Sequence, residues 1–567
     1  MAVVLGLSNS HNGSVALICD GKVKAAIQAE RLSRIKRQSL SMDVGKDLVK
    51  ECVQYCLNVG GLKYSDLDAI GLCSPWKARR INNNDLFDYI GGVPDNYVKT
   101  FYIPHHMAHM EYIIHFGANK PGLVLVIDGS GSLEADRALF NVTEKQHPDI
   151  INHTVKDGKE VISGYWFDGK DASLIYRHSP SIAPKIDYNL DSNGLYQSIG
   201  HYWEWASLYC CGSRHEAGKV MGLAGFGKSN ASQKTSQNIL IMNQDHKIEL
   251  NYAKIKSLYR NPNIFGLDLT NSTHHQNVAS EVQSDTEITI LQLLKILKEM
   301  CPTDTVYLSG GVALNVVANE QVIRSKIFEN VILNGSVEDN GTAIGAGLSA
   351  HLNLGYGREY SKTNDYYGKL YTDAEIIDAL GQYNFPYEIF EENDFYPYIA
   401  KLISKSKVVG WFQGRSEFGP RALGNRSILA NPTDPATKYV LDLYMKRRDN
   451  YRPYAPVVTE ESVSQYFDID QPSPVMMRSA QVLDKRLCAV THIDGSARVQ
   501  TVNRSENKPL HSLLLEINKA IGFPVLLNTS FNLPGEPIVE SPSDALSSFA
   551  RGGLDYLCLH NIIVSRQ

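Results

Sequence analysis

Leu123–Ser132 reads LVLVIDGSGS: an unbroken apolar run, then an aspartate, then alternating glycine and serine. A short run of this kind closed by glycine reads as a strand buried on both faces. The small residues after it leave main-chain N–H groups free to approach an anion. Thr305–Asn315 (TVYLSGGVALN) repeats the pattern, with Gly310-Gly311 at the start of a helix whose first N–H groups favour negative charge. Units of strand, glycine turn and helix predict an α/β fold with ligands at the carboxyl ends of the strands. Upstream, Val3–Leu7, Ser14–Cys19 and Lys22–Gln28 read as strands, the last two joined by an Asp20-Gly21 turn, and a helical pattern covers Val44–Val59.

The chain has 567 residues, too many for one hydrophobic core, and divides into two or three domains at ~100–200 residues each. The polar, aromatic, aperiodic run Tyr356–Tyr367 (YGREYSKTNDYY) marks a boundary. A net charge of −5 with 21% charged residues argues against a nucleic-acid surface. Nine cysteines without a CxxC pair read as reduced, cytoplasmic thiols. The start, MAVVLGL, has neither a basic leader nor a long apolar run, so no signal peptide or membrane span is expected.

Three groups of residues carry chemistry. His105 and His109 follow Pro104 at i and i+4, which puts both imidazoles on one face of a helix beginning there. His106 lies off that face. Gly414–Asn431 (GRSEFGPRALGNRSILAN) mixes Arg415, Arg421 and Arg426 with three glycines, a pattern suited to holding a small oxyanion, and Met445–Pro456 (MKRRDNYRPYAP) is a second basic group.

Gly410–Pro432, Lys446–Pro456, Thr491–Val502 (THIDGSARVQTV) and Leu527–Val539 (LNTSFNLPGEPIV) together resemble the carboxyl-terminal signature of the NodU/CmcH carbamoyltransferases. The resemblance runs from about residue 3 to residue 560. It implies an actin-like ATPase (TsaD-like) duplicated α/β domain over residues 1–358, followed by a YrdC-like α/β domain over 359–567 whose last ~30 residues are free to pack back on the first.

The same resemblance assigns roles. Asp128 and Asp339 (in SVEDNGTAIGAG) join His105 and His109 as metal ligands. Two imidazoles with carboxylates suit Fe²⁺, Mn²⁺ or Zn²⁺ better than Ca²⁺, with Fe²⁺ favoured and Mg²⁺ accompanying ATP. Gly129, Ser130, Gly310, Gly311 and Asn315 fall in nucleotide loops. Glu216 and Lys219 (HEAGKVMGLA) match a run that meets ribose and phosphate. Arg415, Arg421, Lys446, Arg452, Arg498, Asn528 and Ser530 fall in the pocket for carbamoyl phosphate and ATP. His11, in HNGS, is assigned to the acceptor pocket as a base, with Asn12 where the family usually has aspartate, and Lys36 matches a family lysine facing phosphate or carbamoyl.

The implied activity is ATP-dependent O-carbamoyl transfer through carbamoyl adenylate to a small-molecule alcohol, by a monomer or homodimer needing neither nucleic acid nor membrane. Two rival readings stand beside it. A TsaD-type tRNA modifier shares the amino-terminal motifs, and an actin-superfamily kinase shares the phosphate loops.

Overall fold

The computed structural model describes residues 1–41, 46–74, 89–90, 98–181, 197–227, 239–258, 269 and 272–566. The first two positions of the expected Val44–Val59 helix lie outside them, and the remainder forms the helix Lys46–Gly60. The chain folds as two compact units, residues 1–24 with 39–362 and residues 25–38 with 363–567.

One sheet contains β1 (Val3–Ser8), β2 (Ser14–Cys19), β3 (Lys22–Gln28), β4 (Ala69–Cys73) and β5 (Lys99–Ile103), in the order β3-β2-β1-β4-β5. Asp20 and Gly21 both take positive φ, 47° and 75°, the backbone that a two-residue hairpin turn requires. A second sheet contains β6 (Gly122–Ile127), β7 (Gln146–Thr154), β8 (Ile162–Phe167) and β9 (Ala172–Ser179). After a small ribbon of β10 (Leu240–Met242) and β11 (Ile248–Leu250), β12 (Thr305–Ser309) and β13 (Asn330–Ile332) complete it, in the order β13-β12-β6-β8-β9-β7.

The two sheets repeat one plan. β1 and β6 each pair antiparallel with a following strand, β2 or β8. On their other edge each pairs parallel with a later one, β4 or β12, which pairs parallel with β5 or β13. This duplication is the arrangement expected of the actin-like ATPase fold. Every residue of β1 and of β6 is buried, which is why both read as continuous apolar runs.

Helix Gly341–Asn353 holds the first unit together through small residues. A Cβ on Gly345 would stand 1.8 Å from the carbonyl oxygen of Ala108, and one on Gly6 would stand 1.9 Å from that of Ala343. Main chains therefore touch where side chains would otherwise separate them. Ala108 lies between His105 and His109, so the close approach seats Asp339, just before this helix, beside both imidazoles.

A buried ion network ties β9 to the loops around Asp128. Arg177 donates to Glu160 at 2.5 Å and to Glu144 at 2.6 Å and lies 3.8 Å from Glu134, while Arg137 bonds Glu160 and Glu144 at 2.8 and 2.9 Å. Burial pushes Glu160 up to about 7 against the pull of Arg137. Removing one partner from such a network strands buried charge and costs about 3–5 kcal/mol. Arg177→Met is expected to lower stability by that amount, read from a shift of the denaturant midpoint. An unchanged midpoint would show the network to be energetically neutral.

The second unit carries β14 (Tyr387–Ile389), β15 (Val409–Phe412), β16 (Arg426–Ala430), β17 (Ala455–Thr459), β18 (Arg478–Gln481), β19 (Ser496–Val502), β20 (Val525–Ser530), β21 (Tyr556–Leu559) and β22 (Ile562–Ser565), ordered β14-β22-β21-β15-β16-β20-β17-β19-β18. Alternate residues feed two cores. Phe412, Ile428, Val458 and Leu527 join one, and Trp411, Leu429, Val457 and Leu526 join the other. Among the described residues no helix is long and apolar enough to cross a membrane.

Candidate functional site

Four side chains converge at the ends of the central strands of the first unit. Helix His105–Ile114 begins directly after Pro104 and presents two imidazoles one turn apart. His105 Nε2 lies 3.2 Å from His109 Nε2, 3.1 Å from Asp128 Oδ2 and 3.4 Å from Asp339 Oδ1. One ligand atom from each of the four residues falls within 4.8 Å of the others, and all four residues are buried. Although burial opposes its charge, His105 and His11 hold the Asp339 carboxyl well below the usual range. Two imidazole nitrogens and two ionised carboxylates aimed at one point fit a divalent transition metal.

The surrounding loops are fixed by main-chain bonds. Gly310 takes φ 89°, and a Cβ there would stand 2.2 Å from the carbonyl of Ile127, so only glycine fits. Gly311 N–H then reaches Asp128 Oδ1 at 3.3 Å, which joins the two glycine turns. The Glu160 carboxylate accepts from His106 N and Ser132 N, each at 3.2 Å, and Ser132 Oγ accepts from His105 N at 2.9 Å. His11 Nδ1 lies 3.3 Å from Asp339 Oδ2. Its side chain is 51% exposed, and what burial it has works against its charge, but Asp339 outweighs that and raises His11 to about 9.

A second group of charges lies in the second unit. Lys446 Nζ donates to Ser530 O at 2.5 Å, Asn532 Oδ1 at 2.6 Å and Asn532 O at 3.1 Å, with Ser530 Oγ at 3.3 Å. All of these acceptors are neutral. Burial, then the charges of Arg448, Lys36 and Arg452, push Lys446 well below the ordinary lysine range. Burial, then Arg421, Arg452 and Arg448, do the same to Arg498. The Nε of Arg498 is buried without a hydrogen-bond acceptor among the described residues. Buried cations that also disfavour one another's charge mark a place where an anion is at home.

The acid nearest Arg421 in sequence is spent on main chain, while Asp442 pairs with Arg448 at 3.1 Å. Glu417, 1% exposed, accepts with Oε1 from the N–H groups of Leu423 at 2.7 Å, Asn425 at 2.8 Å and Arg426 at 3.3 Å. It shapes the loop that carries Arg421. From β20, Asn528 donates to Ala422 O at 3.1 Å and to Gln500 Oε1 at 2.7 Å, and Gln500 donates to Leu423 O at 2.7 Å. Two carbonyl acceptors thus fix which way both amides point.

Sequence comparison places the chain among known proteins. The profile described as Carbamoyltransferase N-terminus matches residues 95–348, and that described as Carbamoyltransferase C-terminus matches residues 400–566. The 3'-hydroxymethylcephem-O-carbamoyltransferase of Streptomyces clavuligerus is 31% identical over 96% of this chain and 95% of its own length. The chain belongs to the carbamoyltransferase family. An uncharacterized protein of Synechocystis sp. is 30% identical over 100% of this chain and 97% of its own, and nodulation protein NolNO of Sinorhizobium fredii is 29% identical over 98% and 79%.

In this carbamoyltransferase, His105, His109, Asp128 and Asp339 meet in one cluster, with His11 against it. Lys446, Arg452, Arg498 and Arg421 act on one another as charges, with Ser530 in contact with Lys446 and Asn528 bracing the loop at Ala422. Exposed Lys36 adds its charge to that group, on a segment that the first 358 residues would otherwise claim.

Other residues of the expected site make contacts of their own. Arg415 donates to Gly368 O at 2.7 Å and Tyr367 O at 3.0 Å and so braces main chain. Asn315 caps its helix by accepting from Ala318 N at 3.0 Å and exchanges two hydrogen bonds with Gln283. Glu216 and Lys219 stand 3.5 Å apart at a helix start. The Gly129 carbonyl accepts from Ser198 Oγ at 3.0 Å, and Ser130 is half-buried. Glu160, Glu417 and Gln500 escape sequence reading. Glu417 alone carried a signal, as the one acid inside a run of three arginines.

Proposed function

We propose that this protein carbamoylates a hydroxyl of a small-molecule acceptor, using carbamoyl phosphate and ATP by way of carbamoyl adenylate. Asn528 carries the reading. Both of its N–H bonds are spent on Ala422 O and Gln500, and its Oδ1 is buried without a donor among the described residues. What remains is an acceptor on the strand residue that braces the loop carrying Arg421, and carbamoyl phosphate offers the matching pair: an amide N–H₂ and an anionic phosphate. Acetyl phosphate has the anion but not the donor. A site built to pair a buried polar group rejects the analogue that leaves it unpaired.

The proposed reaction runs in two stages. Carbamoyl phosphate loses phosphate to water, and the carbamate oxygen attacks the α-phosphate of ATP and expels pyrophosphate. Arg421, Arg452 and Arg498 hold the phosphate oxygens, and Lys446 supplies a cation kept in place by neutral oxygens. An acceptor hydroxyl next attacks the carbamoyl carbon and AMP leaves. His11 borders the first unit's cluster at Asp339; with a divalent ion on Asp339 offsetting the carboxylate charge that keeps this imidazole protonated, His11 is freed to take the hydroxyl proton. A divalent ion held by His105, His109, Asp128 and Asp339 supplies positive charge for phosphate oxygens when bound, with Fe²⁺ preferred. The cephem O-carbamoyltransferase relative supports a natural-product alcohol as acceptor.

Purified protein given labelled carbamoyl phosphate and ATP, with an extract of the source cells, is expected to release pyrophosphate and AMP and to carbamoylate one extract component, identified by mass spectrometry. Acetyl phosphate is expected to serve at least ~10²-fold less well. Stoichiometric ADP with no carbamoylated product would replace this reading with a kinase.

A further inference from the structure

Each histidine of the four-ligand cluster turns its Nε2 toward the centre, since the Nε2 atoms lie 3.2 Å apart and both face Asp339 Oδ1. What each does with its outward Nδ1 differs. His109 Nδ1 is buried without a hydrogen-bond partner among the described residues. His105 Nδ1 lies 3.4 Å from the sulfur of Cys73, and both residues are 0% exposed.

Cys73 is held there by the sheet. It is the last residue of β4, opposite Ser8 of β1 and Ile103 of β5, and its carbonyl accepts from Asn9 N at 3.3 Å. Helix His105–Ile114 starts two residues after β5 ends, so register alone brings the thiol under the imidazole.

We propose that Cys73 is a positioning residue for the metal centre: its sulfur accepts the Nδ1–H of His105, fixing the tautomer that leaves the Nε2 lone pair for the ion. This inference rests on the metal-site reading given above. Imidazole ligands generally have such a partner on the second nitrogen, commonly a carboxylate or carbonyl, and losing it weakens metal affinity 10–100-fold. A thiol is a weak acceptor, so it orients the ring while adding little to its basicity. Because His109 has no such partner among the described residues, Cys73 is the outer contact through which the pair of imidazoles is kept in register.

The test measures metal binding rather than turnover. Co²⁺ is titrated into metal-stripped full-length protein, with the visible d–d bands and a competing chelator as readouts. Cys73→Val keeps the apolar packing at a slightly larger volume but removes the acceptor, and Cys73→Ser restores an acceptor in the same place. Cys73→Val is expected to weaken Co²⁺ binding about 10-fold, the low end for a lost outer partner because a thiol is a weak acceptor, with Cys73→Ser much closer to the unaltered protein. Cys73→Val binding within about twofold of the unaltered protein, or Cys73→Ser as weak as Cys73→Val, would overturn the assignment. Nitrogen NMR of ¹⁵N-histidine-labelled, Zn²⁺-loaded protein gives a reading that needs no variant. His105 is expected to be protonated at Nδ1 with Zn²⁺ on Nε2, and the reverse arrangement would also overturn it. If the unaltered protein binds no Co²⁺ or Zn²⁺, the metal-site reading itself fails, an outcome distinct from the failure of Cys73.

Discussion

Arg498→Met is expected to lower adenylate formation from carbamoyl phosphate and ATP about 10²–10³-fold while leaving the unfolding midpoint of the ligand-free protein unchanged or raised. The first half follows from the loss of one preorganised cation aimed at developing phosphate charge, an effect of about 2.7–4 kcal/mol. The second follows from the company Arg498 keeps. Burial, Arg421, Arg452 and Arg448 all disfavour its charge, and its Nε has no acceptor among the described residues, so removing the charge relieves repulsion. Lys446→Met differs in a useful way. It should cost similar activity but also stability, because Ser530 O, Asn532 O and Asn532 Oδ1 lose their common donor. Carbamoyl transfer from separately supplied carbamoyl adenylate should survive in both variants. Paired assays of pyrophosphate release and of transfer separate the two stages, and equal loss of both reactions in folded Arg498→Met would overturn the assignment of these residues to the first.

Much of this was legible in the sequence where local pattern and packing agree. LVLVI is apolar throughout and TVYLS is largely so because β6 and β12 are buried on both faces, and Asp128 and Gly310 stand where those strands end. The i, i+4 spacing of His105 and His109 reports a helix face directly. Legibility fails where a side chain serves the backbone. Arg415 and Arg426 look like Arg421 in a string of letters, yet Arg415 braces Tyr367 and Gly368, and Arg426 stacks 3.5 Å over Phe412 and donates to Gln413 O at 2.7 Å. Nothing in composition separates a guanidinium that binds a ligand from one that binds carbonyls. Glu417 inverts expectation for the same reason, since an acid among three arginines suggests ion pairs and three main-chain N–H groups take it instead.

Contacts set by long-range register are less legible still. Cys73 ends one apolar run and His105 opens a helix after another, and only the parallel pairing of β4 with β5 makes them neighbours. Residues 25–38 pose the same problem at larger scale. Their sequence position belongs with the first sheet, but Arg31 donates to Gly419 O at 2.8 Å and Arg34 to Ile538 O at 2.8 Å, which counts them with the second unit.

His105→Ala or His109→Ala should strip the metal from the purified protein and reduce transfer from supplied carbamoyl adenylate about 10³-fold, with adenylate formation retained. Each change takes one of four ligand atoms gathered within 4.8 Å, and a site cut from four protein donors to three holds a transition metal far less tightly. Positive charge at phosphate oxygens is worth several kcal/mol, and about 4 kcal/mol corresponds to three factors of ten in rate. His106→Ala is the control on the same helix. Its Nδ1 bonds Ser163 Oγ at 2.7 Å, away from the ligand cluster, so metal content should hold even though a buried side chain is removed. Stability falls in all three variants because all three imidazoles are fully buried. Metal content therefore discriminates where a melting curve does not. Elemental analysis of the three proteins is read beside the two half-reactions, and undiminished metal in both His105→Ala and His109→Ala would remove the cluster from any part in transfer.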